Sequence, residues 1–227
     1  MQFDNKTLVI FDLDGTLLDS APDLALAINL MLTDLGFEAA PEPVIRSWVG
    51  NGAQTLVSRA LQYSGCDSSQ DSTYFNDALT IFLAHYQTHL STHSILYKGV
   101  FDTLMQLKKN GLQLALVTNK PLRFIDPILR DFKLTDVFVI ALGGDSLPVK
   151  KPHPEPLVHV CKQLGTSIEQ AVMVGDSKND ILAAKAAGMQ SVGLTYGYNY
   201  NEAISLQEPD VVLDDFSHLL NCFKMSD

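Results

Sequence analysis

Five short apolar runs rich in branched side chains recur along the chain, at Thr7 to Phe11, Leu112 to Val117, Val137 to Leu142, Ala171 to Val174 and Ser191 to Leu194. Runs that are apolar throughout, rather than alternating with polar residues, suit strands buried on both faces. Helical stretches separate them, at Lys98 to Lys109, Pro121 to Phe132, Pro154 to Leu164 and Ser177 to Ala187, and Gly111, Gly165 and Gly188 stand as stop signals. Strand and helix in alternation predict an α/β fold, a Rossmann-like core whose parallel sheet is flanked by helices.

The stretch from about Ser20 to Ser94 breaks this rhythm, with helical segments and no strand signal. One helix opens at Ala21-Pro22-Asp23 and stops at Gly36, a second follows Asn51-Gly52, and a third runs from about Asp71 to His89. The expected organisation is a core domain of 1–19 and 95–227 carrying an inserted all-helical cap domain at 20–94.

Sixteen Lys and Arg stand against 26 Asp and Glu, a net charge of -10. That balance opposes a broad basic footprint, so a nucleic-acid polymer is not expected as the main ligand, whereas a small anion held in a locally positive cleft is compatible. Cys66, Cys161 and Cys222 are widely spaced and odd in number, which fits reduced thiols in the cytoplasm. The N-terminus lacks the basic start and long apolar stretch of a signal peptide, and no segment reads as membrane-spanning. Oligomeric state, monomer or dimer, stays open.

Four polar clusters stand at the carboxyl ends of expected strands or in the loops after them: Asp12-Leu13-Asp14-Gly15-Thr16, Thr118-Asn119, Lys151-Pro152, and Asp176-Ser177-Lys178-Asn179-Asp180. Open parallel sheets place their ligands at these ends. Acids gathered there would repel one another by about 4 kcal/mol per pair at 4 Å and a dielectric of ~20, so a counter-cation is required. Magnesium suits an oxygen-only ligand set. The lysine would neutralise further negative charge. His85, His89 and His93, four residues apart, read as a solvated helical stripe rather than a metal site.

In order and spacing, these clusters resemble the four motifs of the haloacid dehalogenase superfamily, over essentially the whole chain. The resemblance implies a magnesium-dependent phosphatase acting on a small phosphate monoester. Asp12 would attack phosphorus; Asp14 would protonate the leaving oxygen and then activate water. Asp12, the backbone carbonyl of Asp14, and Asp176 would bind magnesium, Thr118 and Asn119 would hold phosphate oxygens, and Asp180 would orient Lys151. Within the superfamily, Trp48-Val49-Gly50-Asn51-Gly52-Ala53, Val117-Thr118-Asn119-Lys120-Pro121, Lys150-Lys151-Pro152-His153-Pro154 and Gly193-Leu194-Thr195-Tyr196-Gly197-Tyr198-Asn199-Tyr200 are similar to the bacterial phosphoglycolate phosphatases. That implies 2-phosphoglycolate as substrate, its carboxylate met by Arg46 or by amides of the Gly50-Asn51-Gly52 loop. A sugar-phosphate phosphatase or phosphosugar mutase with the same core is the enzymatic alternative, and a phosphometabolite-binding module the non-enzymatic one.

Overall fold

The computed structural model describes residues 3–66 and 72–223. Its centre is strand β1 (Leu8–Phe11), whose four side chains are all buried. Alternate residues of a strand face opposite ways, so Leu8 and Ile10 enter one apolar core and Val9 and Phe11 another. Both neighbouring strands, β4 (Gln113–Val117) and β6 (Ala171–Gly175), run parallel to β1 in a register that repeats this division. Val9 lies level with Leu114 and Val172 on one face, and Ile10 with Ala115 and Met173 on the other. The absence of alternation in the sequence thus has its cause in a sheet covered on both sides.

Strands β5 (Ile140–Leu142), β7 (Gln190–Leu194) and β8 (Val211–Leu213) complete a six-stranded parallel sheet in the order β5-β4-β1-β6-β7-β8. From β1 the chain builds outward through β4 and β5, then crosses to the other side for β6, β7 and β8. The order reverses around β1, and such a switch point opens a crevice at the strands' carboxyl ends. Leu157 and Val160 of α7 (Glu155–Leu164), with Ala183 and Ala184 of α8 (Lys178–Ala187), fill one face. Leu104 and Leu107 of α5 (Val100–Lys109), with Ile128 and Leu129 of α6 (Ile125–Asp131), fill the other.

Helices α1 (Ala21–Asp34), α2 (Glu42–Arg46), α3 (Ala53–Tyr63) and α4 (Thr73–Thr88) follow one another between β2 (Leu18–Asp19) and β3 (Ile95–Leu96). β2 and β3 pair antiparallel, Leu18 opposite Leu96, where the helical segment leaves the chain and returns. Ile28, Met31, Val57, Phe75 and Phe82 bury their side chains between these helices. In α4, Ser72 accepts a hydrogen bond from the Phe75 amide in the N-cap arrangement. The predicted start of this helix at Asp71 lies outside the described residues.

Several boundaries differ from the sequence reading. The run at Val137 contributes only Ile140–Leu142 to the sheet, because Val137 turns back after α6 and its amide bonds the Leu134 carbonyl. The helix expected from Pro121 is a short 3-10 turn at Leu122–Phe124 followed by α6, a restart that places Pro127 in a first turn, where no amide hydrogen is needed. β2, β3 and β8 gave no sequence signal, being two or three residues long.

Candidate active site

Asp12 stands directly after β1, its amide bonded to the Val174 carbonyl of β6 at 3.0 Å. Lys151 lies across from it and uses all three of its donors: 2.8 Å to Asp12 Oδ1, 2.6 Å to Asp180 Oδ1 and 2.6 Å to the Val117 carbonyl. The ammonium is buried. Burial alone would lower its pKa, but Asp12 and Asp180 outweigh that and raise it, so Lys151 stays charged.

Asp180 serves two structures at once. Its Oδ2 accepts from the Ser177 amide at 3.0 Å and hydroxyl at 2.8 Å, a capping box that starts α8, while its Oδ1 aims Lys151. A Cβ on Gly175 would stand 2.3 Å from the Asp180 carboxyl carbon. Asp176 accepts from Thr16 Oγ1 at 2.6 Å and from the Tyr198 amide at 2.7 Å. It sits in a cradle that a Cβ at Gly15 or Gly197 would fill, with contacts of 2.3 and 2.1 Å to its Oδ2.

One carboxylate oxygen from each of Asp12, Asp176 and Asp180 lies within 4.8 Å of the others, and all three residues are buried. Burial pushes the Asp12 carboxyl up to about 6, against the pull of Lys151. Burial, then the charges of Asp180 and Asp12, holds Asp176 well above the ordinary carboxylate range. At 4.8 Å and a dielectric of ~20 each charged pair repels by about 3.5 kcal/mol, and one lysine does not balance three acids. An oxygen-only, electron-rich cluster of this kind fits a hard divalent cation.

The Asp14 side chain turns away from this cluster. Its Oδ1 accepts from the Ser20 hydroxyl at 2.5 Å and pairs with Lys120 Nζ at 2.8 Å. Ser20 occupies the N-cap position of α1, yet its hydroxyl serves Asp14 instead of the helix amides. Lys120, in turn, donates to the Tyr86 hydroxyl of α4. Burial alone would lower the Lys120 pKa, but Asp14 and Tyr86 outweigh it and raise it.

Asp12, Asp14, Thr118, Asn119, Lys120 and Tyr86 line one narrow cavity of about 40 Å³ between the sheet edge and α1, α3 and α4. Thr118 accepts from the Lys120 amide at 3.3 Å through its hydroxyl oxygen, which leaves the hydroxyl proton free to donate. Asn119 Nδ2 donates to the Gly50 carbonyl at 3.0 Å and the Lys151 carbonyl at 2.9 Å. The Asn119 side chain therefore ties two loops together, and its buried Oδ1 has no partner among the described residues.

Arg46 is placed elsewhere. It forms a bidentate pair with Asp19 at 2.8 and 3.3 Å, binds Glu42 at 2.7 Å, and lies over the Tyr198 ring. It faces a separate depression lined by Pro43, Ser47 and Asn199. Gly50 and Gly52 of the glycine loop do border the cavity, with Lys150 bonding the Asn51 carbonyl at 2.7 Å. Sequence reasoning assigned no role to Lys120, Tyr86 or Ser20. Lys120 alone carried a signal, following Thr118-Asn119 at a strand end.

The sequence pattern of the haloacid dehalogenase-like hydrolases matches residues 9–194. A phosphoglycolate phosphatase of Colwellia psychrerythraea is 52% identical over 225 residues, 99% of this chain and 100% of that one. Another, of Pseudomonas putida, is 48% identical over 94% of this chain and 78% of its own length. The crystal structure of a predicted phosphoglycolate phosphatase from Haemophilus somnus superposes with a TM-score of 0.91 at 43% identity, covering 96% of this chain and 97% of that one. With the acids after β1 and β6 and the lysine between them, matched across most of the sheet, the chain belongs to the haloacid dehalogenase-like hydrolase family.

Proposed function

We propose that the chain hydrolyses 2-phosphoglycolate to glycolate and phosphate through an aspartyl phosphate on Asp12. The observation that carries this reading is the placement of two carboxylates with different partners on one cavity. Asp12 is held by Lys151, and Asp14, two residues on, by Ser20 and Lys120. One acid is thereby oriented as a nucleophile while the other is kept apart as a proton carrier.

In the first half-reaction an Asp12 oxygen bonds to phosphorus as the ester oxygen departs, and Asp14 gives that oxygen its proton. In the second, Asp14 takes a proton from water, the water oxygen bonds to phosphorus, and the Asp12–phosphorus bond breaks to release phosphate. Lys151, already beside Asp12, balances charge on the phosphoryl oxygens, and the Thr118 hydroxyl donates to one of them. Asp12, Asp176 and the backbone carbonyl of Asp14 would hold magnesium, with Asp180 fixing Lys151. When bound, the ion neutralises the carboxylates and polarises the phosphoryl group.

The helices of 20–94 form the cap that closes over this site. The relatives named phosphoglycolate phosphatase supply the substrate. The test is phosphate release from 2-phosphoglycolate and a panel of sugar phosphates, with and without magnesium. Magnesium-dependent preference for 2-phosphoglycolate, abolished in Asp12→Asn, is the expected result. Preference for a sugar phosphate would sink the substrate assignment and keep the chemistry, while no turnover of any ester would point to a phosphometabolite-binding module.

A further inference from the structure

The cavity over Asp12 and Asp14 has one cationic side chain among its described lining residues, Lys120; the cap side is apolar, built from Leu24, Val49, Leu56 and Phe82. We propose that Lys120 binds the carboxylate of the substrate and is the residue that selects a phosphate ester bearing an acid group. The proposal rests on the phosphoglycolate reading and deepens it.

Three observations support it. An ammonium has three N–H donors; Lys120 pairs with Asp14 Oδ1 at 2.8 Å and directs one donor to the Tyr86 hydroxyl, which among the described residues leaves a donor for a ligand. The side chain is only 2% exposed, so water does not compete effectively for that donor. Its position also fits the chemistry of the ester. Asp14 must reach the bridging oxygen to protonate it, and in 2-phosphoglycolate the carboxylate carbon is two bonds from that oxygen. A cation in direct contact with Asp14 therefore meets the carboxylate when the ester is in place. The other candidate, Arg46, is engaged by Asp19 and Glu42 and borders a different depression.

Tyr86 fixes the direction of the donor. It belongs to α4, stacks on Phe82 at 5.8 Å, and places its ring 4.7 Å from Lys120 Nζ. A core lysine is thus oriented by a cap tyrosine, and the carboxylate subsite is complete only with the cap in contact with the core.

The experiment compares kcat and KM for 2-phosphoglycolate and 2-hydroxyethyl phosphate, which has the same chain length but a neutral hydroxyl in place of the carboxylate, in wild type, Lys120→Gln and Lys120→Arg. Wild type should prefer 2-phosphoglycolate. Lys120→Gln should cut the ratio of the two kcat/KM values by about 10-fold to 100-fold, the worth of a buried charged hydrogen bond, chiefly through KM. Lys120→Arg should keep part of the preference. Equal losses on both esters would overturn the proposal, because Lys120 would then act only through Asp14. If Lys120→Gln does not fold, Lys120→Arg decides: KM must rise by a larger factor for 2-phosphoglycolate than for the neutral ester, and equal factors overturn the assignment. Wild type turning over both esters equally well also overturns it while leaving the hydrolase chemistry standing. Wild type inactive on 2-phosphoglycolate removes the substrate reading itself, and the proposal with it.

Discussion

Burial raises the carboxyl pKa values of Asp12 and Asp176, whereas at Lys151 and Lys120 the neighbouring acids and the Tyr86 hydroxyl outweigh it. Asp12 is desolvated, and its folded pKa of about 6 exceeds the ordinary 3.8. The folded protein therefore holds that proton more tightly than the unfolded chain. The associated stability is complete below about pH 4 and is lost as pH rises to about 6. In chelator, thermal unfolding from pH 4 to 7 should show the difference between Asp12→Asn and wild type moving in the variant's favour up to about pH 6 and then levelling. A difference that stays flat would contradict the assignment of burial as the dominant cause. Gly197 makes a second point at this scale. Its Cβ would stand 2.1 Å from Asp176 Oδ2, so Gly197→Ala must displace the carboxylate. The expected cost is about 1–3 kcal/mol of stability, read from denaturant unfolding, together with loss of magnesium-stimulated phosphate release.

At the level of elements, the loop between α2 and α3 is fastened to the core by its carbonyls. Gly50 accepts from Asn119 at 3.0 Å and from Asn179 at 3.1 Å, and Asn51 from Lys150 at 2.7 Å. The loop takes positive φ at Gly50 (+117°), where the Tyr200 hydroxyl would lie 2.7 Å from an added Cβ. A β-carbon there would be both strained and crowded. Asn179→Ala removes one of the two bonds to Gly50 and should weaken the attachment by about 1 kcal/mol, visible as faster amide exchange over residues 49–53 with the sheet unaffected. Exchange unchanged in that loop would show that Asn119 and Lys150 hold it alone. α4 is anchored differently: Ser72→Ala, which deletes its N-cap, should lower stability by about 1 kcal/mol in thermal unfolding.

Across the whole molecule, the site is completed by parts separated widely in sequence and joined at the carboxyl ends of the strands. Lys151 meets Asp12 from 139 positions away, and Asp176 meets Thr16 from 160. On the proposed reading substrate passes between helices α1, α3 and α4 and the ends of the sheet, and β2 and β3 are the two short segments that connect them. Cysteines at Asn51 and Lys150, in a Cys66→Ser background that leaves only the buried Cys161 and Cys222, allow the two sides to be joined by a short thiol crosslinker. The joined protein should lose most of its turnover and recover it when the link is cleaved. Full activity in the joined state would mean that substrate enters and product leaves without cap movement.

The parallel core and the order of its polar clusters are legible in the primary structure, since apolar runs without alternation and acids at their ends are local properties. Residue type and position alone marked Asp12, Asp14, Lys151, Asp176 and Asp180 as candidates, and folding brings them to the carboxyl ends of β1 and its neighbours. The sequence did not show β2, β3 or β8, because two or three strand residues without a longer apolar run around them, such as the one from Val137 that announces β5, carry too little pattern to separate from loop. The partner of each charge was decided only by tertiary structure. Arg46 and Lys120 are both cations near the cavity's borders in sequence terms, yet folding gives Arg46 to Asp19 and Glu42 and delivers Lys120 to Asp14. Ser20 stands at the N-cap position of α1, yet its hydroxyl is turned to an acid six residues back. Such choices depend on which loops the register of the sheet and the packing of the cap bring within hydrogen-bond reach, a long-range outcome that residue type does not encode.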